Sequence, residues 1–210
     1  MMYSVLSARA AIGSAALALA ALAVLHLLKR EIHPGRSMIS QYALGQFGWV
    51  MAVCFAAFGV GSASVFIALV PQVHSLVGAI GLGLLAVAAV GLAMAARFPM
   101  DPVSTPRDQM SFTGRMHGVA FLLGVPSMVL AAPLLSLALV SQGSHRLLPL
   151  MGTTAVVWLS LVVMIAIMLK VGPGKPPDPN GPERFVGWPN RLLMVGYAVW
   201  LMLAAWPVAF

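Results

Sequence analysis

Six long apolar stretches, none of which contains an aspartate, glutamate, lysine or arginine, dominate the 210-residue sequence. Each is 19 to 26 residues long, and about 20 apolar helical residues cross the roughly 30 Å hydrocarbon core of a bilayer. Continuous apolar runs of this length form helices in lipid, because a helix satisfies its own backbone hydrogen bonds. The sequence therefore predicts an all-α, polytopic membrane protein with a single six-helix transmembrane domain over residues 1–210. The predicted spans are Ala10–Leu28, Gly45–Val70, Leu76–Ala96, Met116–Val140, Leu147–Leu169 and Leu192–Phe210.

Composition excludes several classes of protein. Only 8% of the residues are charged, whereas a soluble domain has about 25%, and the mean hydropathy is +0.96. A soluble enzyme, a nucleic-acid-binding protein and a disordered chain are therefore excluded. The net charge of +7 lies beside the spans, where basic residues set orientation. The one cysteine, Cys54, excludes an intrachain disulfide and a cysteine-based metal site.

The charges predict the orientation of the spans. Of the 12 lysines and arginines, all but Arg9 and Arg146 lie in or beside the three longer connections, as do all five acids. The positive-inside rule places these connections in the cytoplasm. The alanine-rich, arginine-rich composition is typical of a bacterial gene, so we predict a multi-pass protein of the bacterial inner membrane with both termini outside.

Small residues and prolines predict how the helices pack. Stripes of small residues bring transmembrane helices into close contact, and Pro126 and Pro133 are expected to bend the fourth helix. We interpret the stripes as contacts within one bundle, with a dimer interface as the alternative. They comprise Gly48, Ala52, Ala56, Gly59 and Ala63 in the second span and Ala79, Gly83 and Gly91 in the third.

The connection before the second span is the first candidate site. Ser37 or Ser40 can cap the start of the helix, which is a purely structural role. Alternatively, Arg36 together with Ser37 and Ser40 offers a guanidinium, hydroxyls and free amide groups at one helix N-terminus, an arrangement that attracts anions.

The other two long connections supply the remaining candidates. Asp101 lies between two prolines, Ser111 or Thr113 can cap the fourth helix, and His117 lies near its first turn. The helix N-terminus and the neighbouring Arg115 disfavour imidazolium, so we expect a neutral His117 at pH 7. His117 either bonds a loop carbonyl or pairs with Asp101.

In the last connection, which is rich in proline and glycine, Arg184 is the candidate ligand and Asn190 is a plausible N-cap for the sixth helix. This connection is interpreted either as a solvated linker or as a lid over the mouth of the bundle. Haem held by histidine pairs is disfavoured because His74 and His145 lie in loops. A zinc site from His33, Asp101 and His117 is not specified by their spacing. We therefore expect no cofactor and no metal.

These motifs together resemble a family of uncharacterised integral membrane proteins, the domain of unknown function 998 (DUF998). The resemblance is carried by RSMISQYALGQFGW before the second span, FPMDP after the third, SFTGRMHG before the fourth and GPERFVGWPNRL before the sixth. It implies a polytopic membrane protein and supplies no catalytic assignment.

We hypothesise that a polar cluster at the cytoplasmic helix ends binds the head group of an anionic membrane lipid or small amphiphile. Its members are Arg36, Ser37, Ser40, Asp101, His117 and Arg184. Guanidinium forks match phosphate, and Asp101 would orient His117. The first alternative is an intramembrane lipid-modifying enzyme with His117 as general base, Asp101 as its orienting group and Ser37 or Ser40 as nucleophile. The second is a structural or accessory membrane subunit. The oligomeric state is not predicted.

Overall fold

The structure, a computed structural model, describes residues 2–140, 147–171 and 181–210. This part of the chain contains six α-helices and no strand, which confirms the all-α prediction, and all six helices are long and apolar enough to span a membrane. The protein is thus an integral, multi-pass membrane protein. The helices are α1 (Met2–Leu28), α2 (Gly48–Leu69), α3 (Leu76–Arg97), α4 (Phe112–Val140), α5 (Leu147–Val171) and α6 (Gly187–Ala209).

Helix α1 begins at Met2 instead of Ala10 and therefore includes Arg9. The Arg9 guanidinium donates from Nε to the Ala209 carbonyl at 3.2 Å and lies 5.6 Å from the Phe210 ring centre. The last carbonyls of a helix have no intrahelical partner, and a cation near them is favourable. The Arg9 side chain thus has a partner at the end of α6, which allows α1 to extend beyond this charged residue to Met2.

The start of α2 corrects the predicted role of the serines. Residues Ile39–Ala43 form a separate 3₁₀ helix, and α2 begins only at Gly48. Its N-cap is Phe47, which has a left-handed backbone (φ 63°) and no capping side chain. Neither Ser37 nor Ser40 is therefore the cap, because the turn that redirects the chain is made by left-handed residues at Gly45 and Phe47.

Consecutive helices contact each other, α6 returns to α1, and α2 also contacts α6. Helices α2 and α6 are the most deeply buried. The start of α3 meets the end of α4, where a Cβ on Gly78 would lie 3.0 Å from the Ala138 side chain. This antiparallel arrangement brings residues 29–47, 98–111 and 181–186 to one end of the bundle, which we call the long-loop end.

Small residues bring the helices into close contact at one position of each predicted stripe, Gly59 on α2 and Gly91 on α3. A Cβ on Gly59 would lie 3.3 Å from the Ala89 carbonyl oxygen of α3. On α3 the closest approach is at Gly91, where a Cβ would lie 2.5 Å from the Gly124 backbone nitrogen. Gly83 has nothing within 4 Å of its Cβ position. The α3 stripe is thus confirmed at Gly91 and wrong at Gly83, because α4 packs against Gly81 and Gly91 instead.

Serine hydroxyl groups in the centre of the bundle accept hydrogen bonds from aromatic side chains of α6. Ser62 donates to the Phe58 carbonyl at 2.9 Å and accepts from the Tyr197 hydroxyl at 2.7 Å. Trp200 Nε1 donates to Ser136 Oγ at 3.0 Å, and Ser136 lies 3.1 Å from Thr154 Oγ1. These bonds connect α6 to α2, α4 and α5 inside an otherwise apolar interior.

Candidate functional site

Arg191 is a buried cation at the long-loop end. Its side chain is only 6% exposed, and its guanidinium donates to acceptors on α1, on the connection after α1 and on α6. These acceptors are His26 Nε2 (2.8 Å), the carbonyls of Pro34 (2.7 Å), Ser37 (2.6 Å) and Gly187 (3.1 Å), and the Tyr42 hydroxyl (3.0 Å). Arg191 therefore holds residues 34–42 against the start of α6.

These contacts determine the tautomer of His26. Arginine can only donate, so His26 Nε2 accepts from Arg191, and Nδ1 carries the proton that is donated to the Leu22 carbonyl at 2.7 Å. Lys29, only 4% exposed, donates from Nζ to the carbonyls of Tyr42 and Leu44. Among the described residues, neither Arg191 nor Lys29 has a carboxylate within 4.0 Å. Their partners are neutral, so both charges remain uncompensated.

Arg191 is absent from the predicted site because the predicted sixth span starts at Leu192, one residue after it. The helix in fact begins at Gly187, which places Arg191 inside it and makes the Asn190 cap prediction wrong. The Asn190 side chain instead accepts from the Ile39 amide at 2.8 Å. Pro189 was the available signal, because proline favours the first turn of a helix.

Arg36 and Arg184 lie on two backbone segments that are hydrogen-bonded to each other. The Gly187 amide donates to the Gly35 carbonyl at 2.7 Å, and a Cβ on Gly35 would lie 3.0 Å from the Arg184 carbonyl oxygen and from Trp188 Nε1. Both arginine side chains are exposed. The Arg184 guanidinium lies 4.5 Å from the Phe185 ring centre. We call the group Arg36, Arg184, Phe185 and Trp188 the basic corner.

Ser40 and His117 line a different feature, a cavity of about 60 Å³ between α2, α3, α4 and α6. His117 Nδ1 lies 2.8 Å from the Phe98 carbonyl oxygen, so Nδ1 is the donor. The His117 ring also packs against Phe55 at a centroid distance of 6.0 Å. Of the two roles predicted for His117, the bond to a loop carbonyl is confirmed.

Asp101 caps α4 and does not orient His117. Its carboxylate accepts from the Ser111 amide and the Ser111 hydroxyl, each at 2.7 Å. Ser111 Oγ in turn accepts from the Gly114 amide at 3.0 Å, which confirms the predicted serine cap. A carboxylate at a helix N-terminus is favourable because it meets unpaired amides and the positive end of the helix dipole. The predicted Asp101–His117 pair is therefore wrong.

The six predicted ligands thus divide among separate places at the long-loop end. Arg36 and Arg184 form the basic corner, Ser40 and His117 line the cavity, and Asp101 caps α4. Ser37 contributes its main-chain carbonyl to Arg191. The hydrogen bonds of the described residues do not join these places into the single cluster that was predicted.

Histidine side chains can bind a metal ion or a haem iron. No group of three or more histidine, cysteine, aspartate or glutamate side chains that could hold a metal ion occurs among the described residues. Both ring nitrogens of His26 are hydrogen-bonded within the protein, and His33 Nδ1 accepts from the Gly35 amide at 3.1 Å. His145 lies outside the described residues.

Comparison with known families addresses the resemblance seen in the sequence. A family model described as a protein of unknown function (DUF998) matches residues 12–207. The chain belongs to the DUF998 family. The match extends from α1 to the end of α6, so the predicted resemblance is confirmed. No curated protein and no solved structure matches this DUF998 protein.

Proposed function

We propose that this DUF998 protein binds the phosphate-bearing head group of an anionic membrane lipid, or of a similar small amphiphile, at the basic corner. The observation that carries the proposal is the pairing of Arg36 with Arg184 on hydrogen-bonded segments. Both side chains are exposed, and neither has a carboxylate partner among the described side chains. Guanidinium groups bind phosphate oxygens in a bidentate fashion.

The surroundings strengthen the positive potential at the basic corner. Residues 29–40 and 181–191 contain five lysines and arginines and only two acids. Two of these cations, Lys29 and Arg191, are buried behind the surface on neutral acceptors. A buried charge is screened less by salt than an exposed one, so an anion at Arg36 and Arg184 also interacts with these charges.

The aromatic residues favour a position at the membrane surface. Trp188 is 53% exposed and Phe185 is 49% exposed, and tryptophan is enriched where lipid meets water. The positive-inside rule puts the long-loop end in the cytoplasm of a bacterial cell, with both termini outside. The basic corner then faces the leaflet whose anionic lipids attract basic segments.

Lipid binding can be measured by native mass spectrometry of the full chain with phosphatidylglycerol or phosphatidylcholine. Each basic residue near an anionic surface contributes about 1 kcal/mol, so Arg36→Gln with Arg184→Gln should weaken phosphatidylglycerol binding about 30-fold. The matched control is Arg97→Gln with Arg107→Gln, which removes two exposed charges at the same end but outside the basic corner. Equal phosphatidylglycerol occupancy in the two double variants would refute the proposal.

One observation favours a second candidate, a lipid-modifying enzyme: Ser40 and His117 line the same cavity. In this hypothesis His117 Nε2 takes the proton from Ser40 as its oxygen attacks a lipid ester carbonyl, the ester C–O bond breaks, and the alcohol part leaves with that proton. Water then hydrolyses the acyl–Ser40 ester and releases the fatty acid, and the Phe98 carbonyl takes the orienting role first assigned to Asp101. Release of fatty acid from a labelled phospholipid tests the idea. Loss of turnover in Ser40→Ala but not in Ser37→Ala would support it. If the wild-type chain shows no turnover, the enzyme hypothesis is refuted, and lipid binding or an accessory role remains.

A further inference from the structure

The cavity that Ser40 and His117 line is separate from the basic corner and is mostly apolar. It lies at the long-loop end between α2, α3, α4 and α6 and has a volume of about 60 Å³. Its apolar lining includes Phe55, Leu92, Phe121, Val125, Met128 and Met194. Only three polar side chains line it, namely Ser40, His117 and Asn190.

Asn190 supplies an underused donor. Its side chain is only 8% exposed, and Oδ1 accepts from the Ile39 amide at 2.8 Å. Among the described residues, Nδ2 reaches only the thioether of Met164, at 3.8 Å. Sulfur is a weak acceptor, and an amide nitrogen carries two N–H groups. A buried Asn190 therefore retains hydrogen-bonding capacity next to the cavity.

His117 supplies an acceptor. Its Nδ1 carries a proton for the Phe98 carbonyl, so Nε2 of the neutral ring has a free lone pair. Among the described residues Nε2 has no hydrogen-bond partner, and neither does the Ser40 hydroxyl, which can donate or accept. The cavity thus combines a donor, an acceptor and a hydroxyl within an apolar lining.

A ligand for this site must be uncharged. No lysine, arginine, aspartate or glutamate of residues 2–140, 147–171 and 181–210 lines the cavity. Burying an ion without a partner is much more costly than burying a hydrogen-bonded hydroxyl. A hydroxyl also matches the polar side chains, because one O–H group donates to His117 Nε2 while its oxygen accepts from Asn190 and from the Ser40 hydroxyl.

The size and position of the cavity indicate what carries the hydroxyl. A volume of about 60 Å³ accommodates several water-sized groups, because one water molecule needs about 10–15 Å³ of such space, so the polar end of a ligand fits. Phe121 lines the cavity and is 39% exposed. It lies nine residues into α4, about 14 Å along the helix, where an exposed side chain faces lipid. The cavity thus reaches the hydrocarbon layer beside Phe121.

We propose that this cavity binds the terminal hydroxyl of an uncharged long-chain alcohol, whose apolar chain remains in the bilayer against Phe121. The proposal is independent of head-group binding at the basic corner. Substitution of Arg36 and Arg184 should therefore leave alcohol binding within twofold of wild type.

Photoaffinity labelling of the full chain in phosphatidylcholine nanodiscs tests this site. The probe is a hexadecanol with a diazirine at mid-chain, and labelled peptides are identified by mass spectrometry. We expect labelling of α4 around Phe121, with hexadecanol competing at least tenfold better than hexadecanoate or hexadecane. Equal competition by hexadecane would refute hydroxyl recognition, and labelling confined to other helices would refute the location.

Variants separate hydroxyl recognition from folding. Ser40→Ala should weaken hexadecanol competition about threefold to tenfold, as expected for one hydrogen bond. Ser37→Ala, the same change outside the cavity, should alter it less than twofold. His117→Asn keeps an amide donor for the Phe98 carbonyl but removes Nε2, and should weaken competition at least tenfold. Wild-type competition in both Ser40→Ala and His117→Asn would overturn the proposal.

Discussion

Replacing Arg191 with methionine removes the cation that holds the connection after α1 against α6. Five acceptors lose a donor, and four of them lie outside α6, on His26, Pro34, Ser37 and Tyr42. Each buried acceptor left unsatisfied costs about 1–3 kcal/mol. The desolvation penalty of the guanidinium is relieved at the same time. The lost hydrogen bonds outweigh the relieved penalty, so we expect the free energy of unfolding to fall by about 3–5 kcal/mol.

Thermal unfolding of the purified protein in detergent measures this loss. For a chain of this size, 1 kcal/mol corresponds to about 2–4 °C in Tm, so Arg191→Met should lower Tm by about 6–20 °C. Arg191→Lys should lie between the variant and wild type, because an ammonium has three donors and lacks the planar fork. Arg97→Met, at an exposed arginine of the same end, should change Tm by less than about 2 °C.

Hydrogen exchange locates the effect. In Arg191→Met, amides of residues 36–42 should exchange faster than in wild type, whereas amides in the middle of α2 should not. An unchanged Tm together with unchanged exchange in residues 36–42 would refute the assignment of Arg191 as the residue that holds this connection.

Three other perturbations test the fold. Gly91→Ala should destabilise the protein by about 1–3 kcal/mol through overpacking, because the new Cβ would lie 2.5 Å from the Gly124 nitrogen. Gly83→Ala is the control, because its Cβ position has open space. Equal Tm values for the two variants would contradict the α3–α4 packing. Asp101→Ala should lower the free energy of unfolding by about 1–2 kcal/mol, because α4 loses a helix cap. Asp108→Ala, on an exposed turn, should leave it unchanged, and thermal unfolding of the two variants measures the difference. A reporter protein that works only in the cytoplasm should be active when it is inserted between α5 and α6. Activity at this point of a reporter that works only in the periplasm would refute the predicted orientation.

The helices could be predicted from sequence because lipid imposes a simple rule on them. A run of about 20 apolar residues must be helical in a bilayer, so all six spans were found. The errors lie at the ends of the helices, because the predicted spans exclude Arg9, Asn190 and Arg191, which lie inside α1 and α6. Each has a partner on another segment, and linear sequence does not contain that information.

The candidate site could be predicted only in part for the same reason. Asp101 and His117 both lie near the start of α4, and their spacing is compatible with a pair. The cap at Ser111 and the carbonyl of Phe98 nevertheless engage them separately. Arg36 and Arg184 are far apart in the chain, and hydrogen bonds such as the one between Gly35 and Gly187 bring their segments together.

The sequence by itself determined that this protein is a six-helix membrane protein whose charged residues lie outside six long apolar runs. Hydrophobicity is a property of each residue, so it can be read along the chain. The tertiary structure decided which of those polar residues stabilise the fold and which remain free to meet a ligand. That distinction depends on partners from other helices, because a hydrogen bond is satisfied or left open only when both groups are in place.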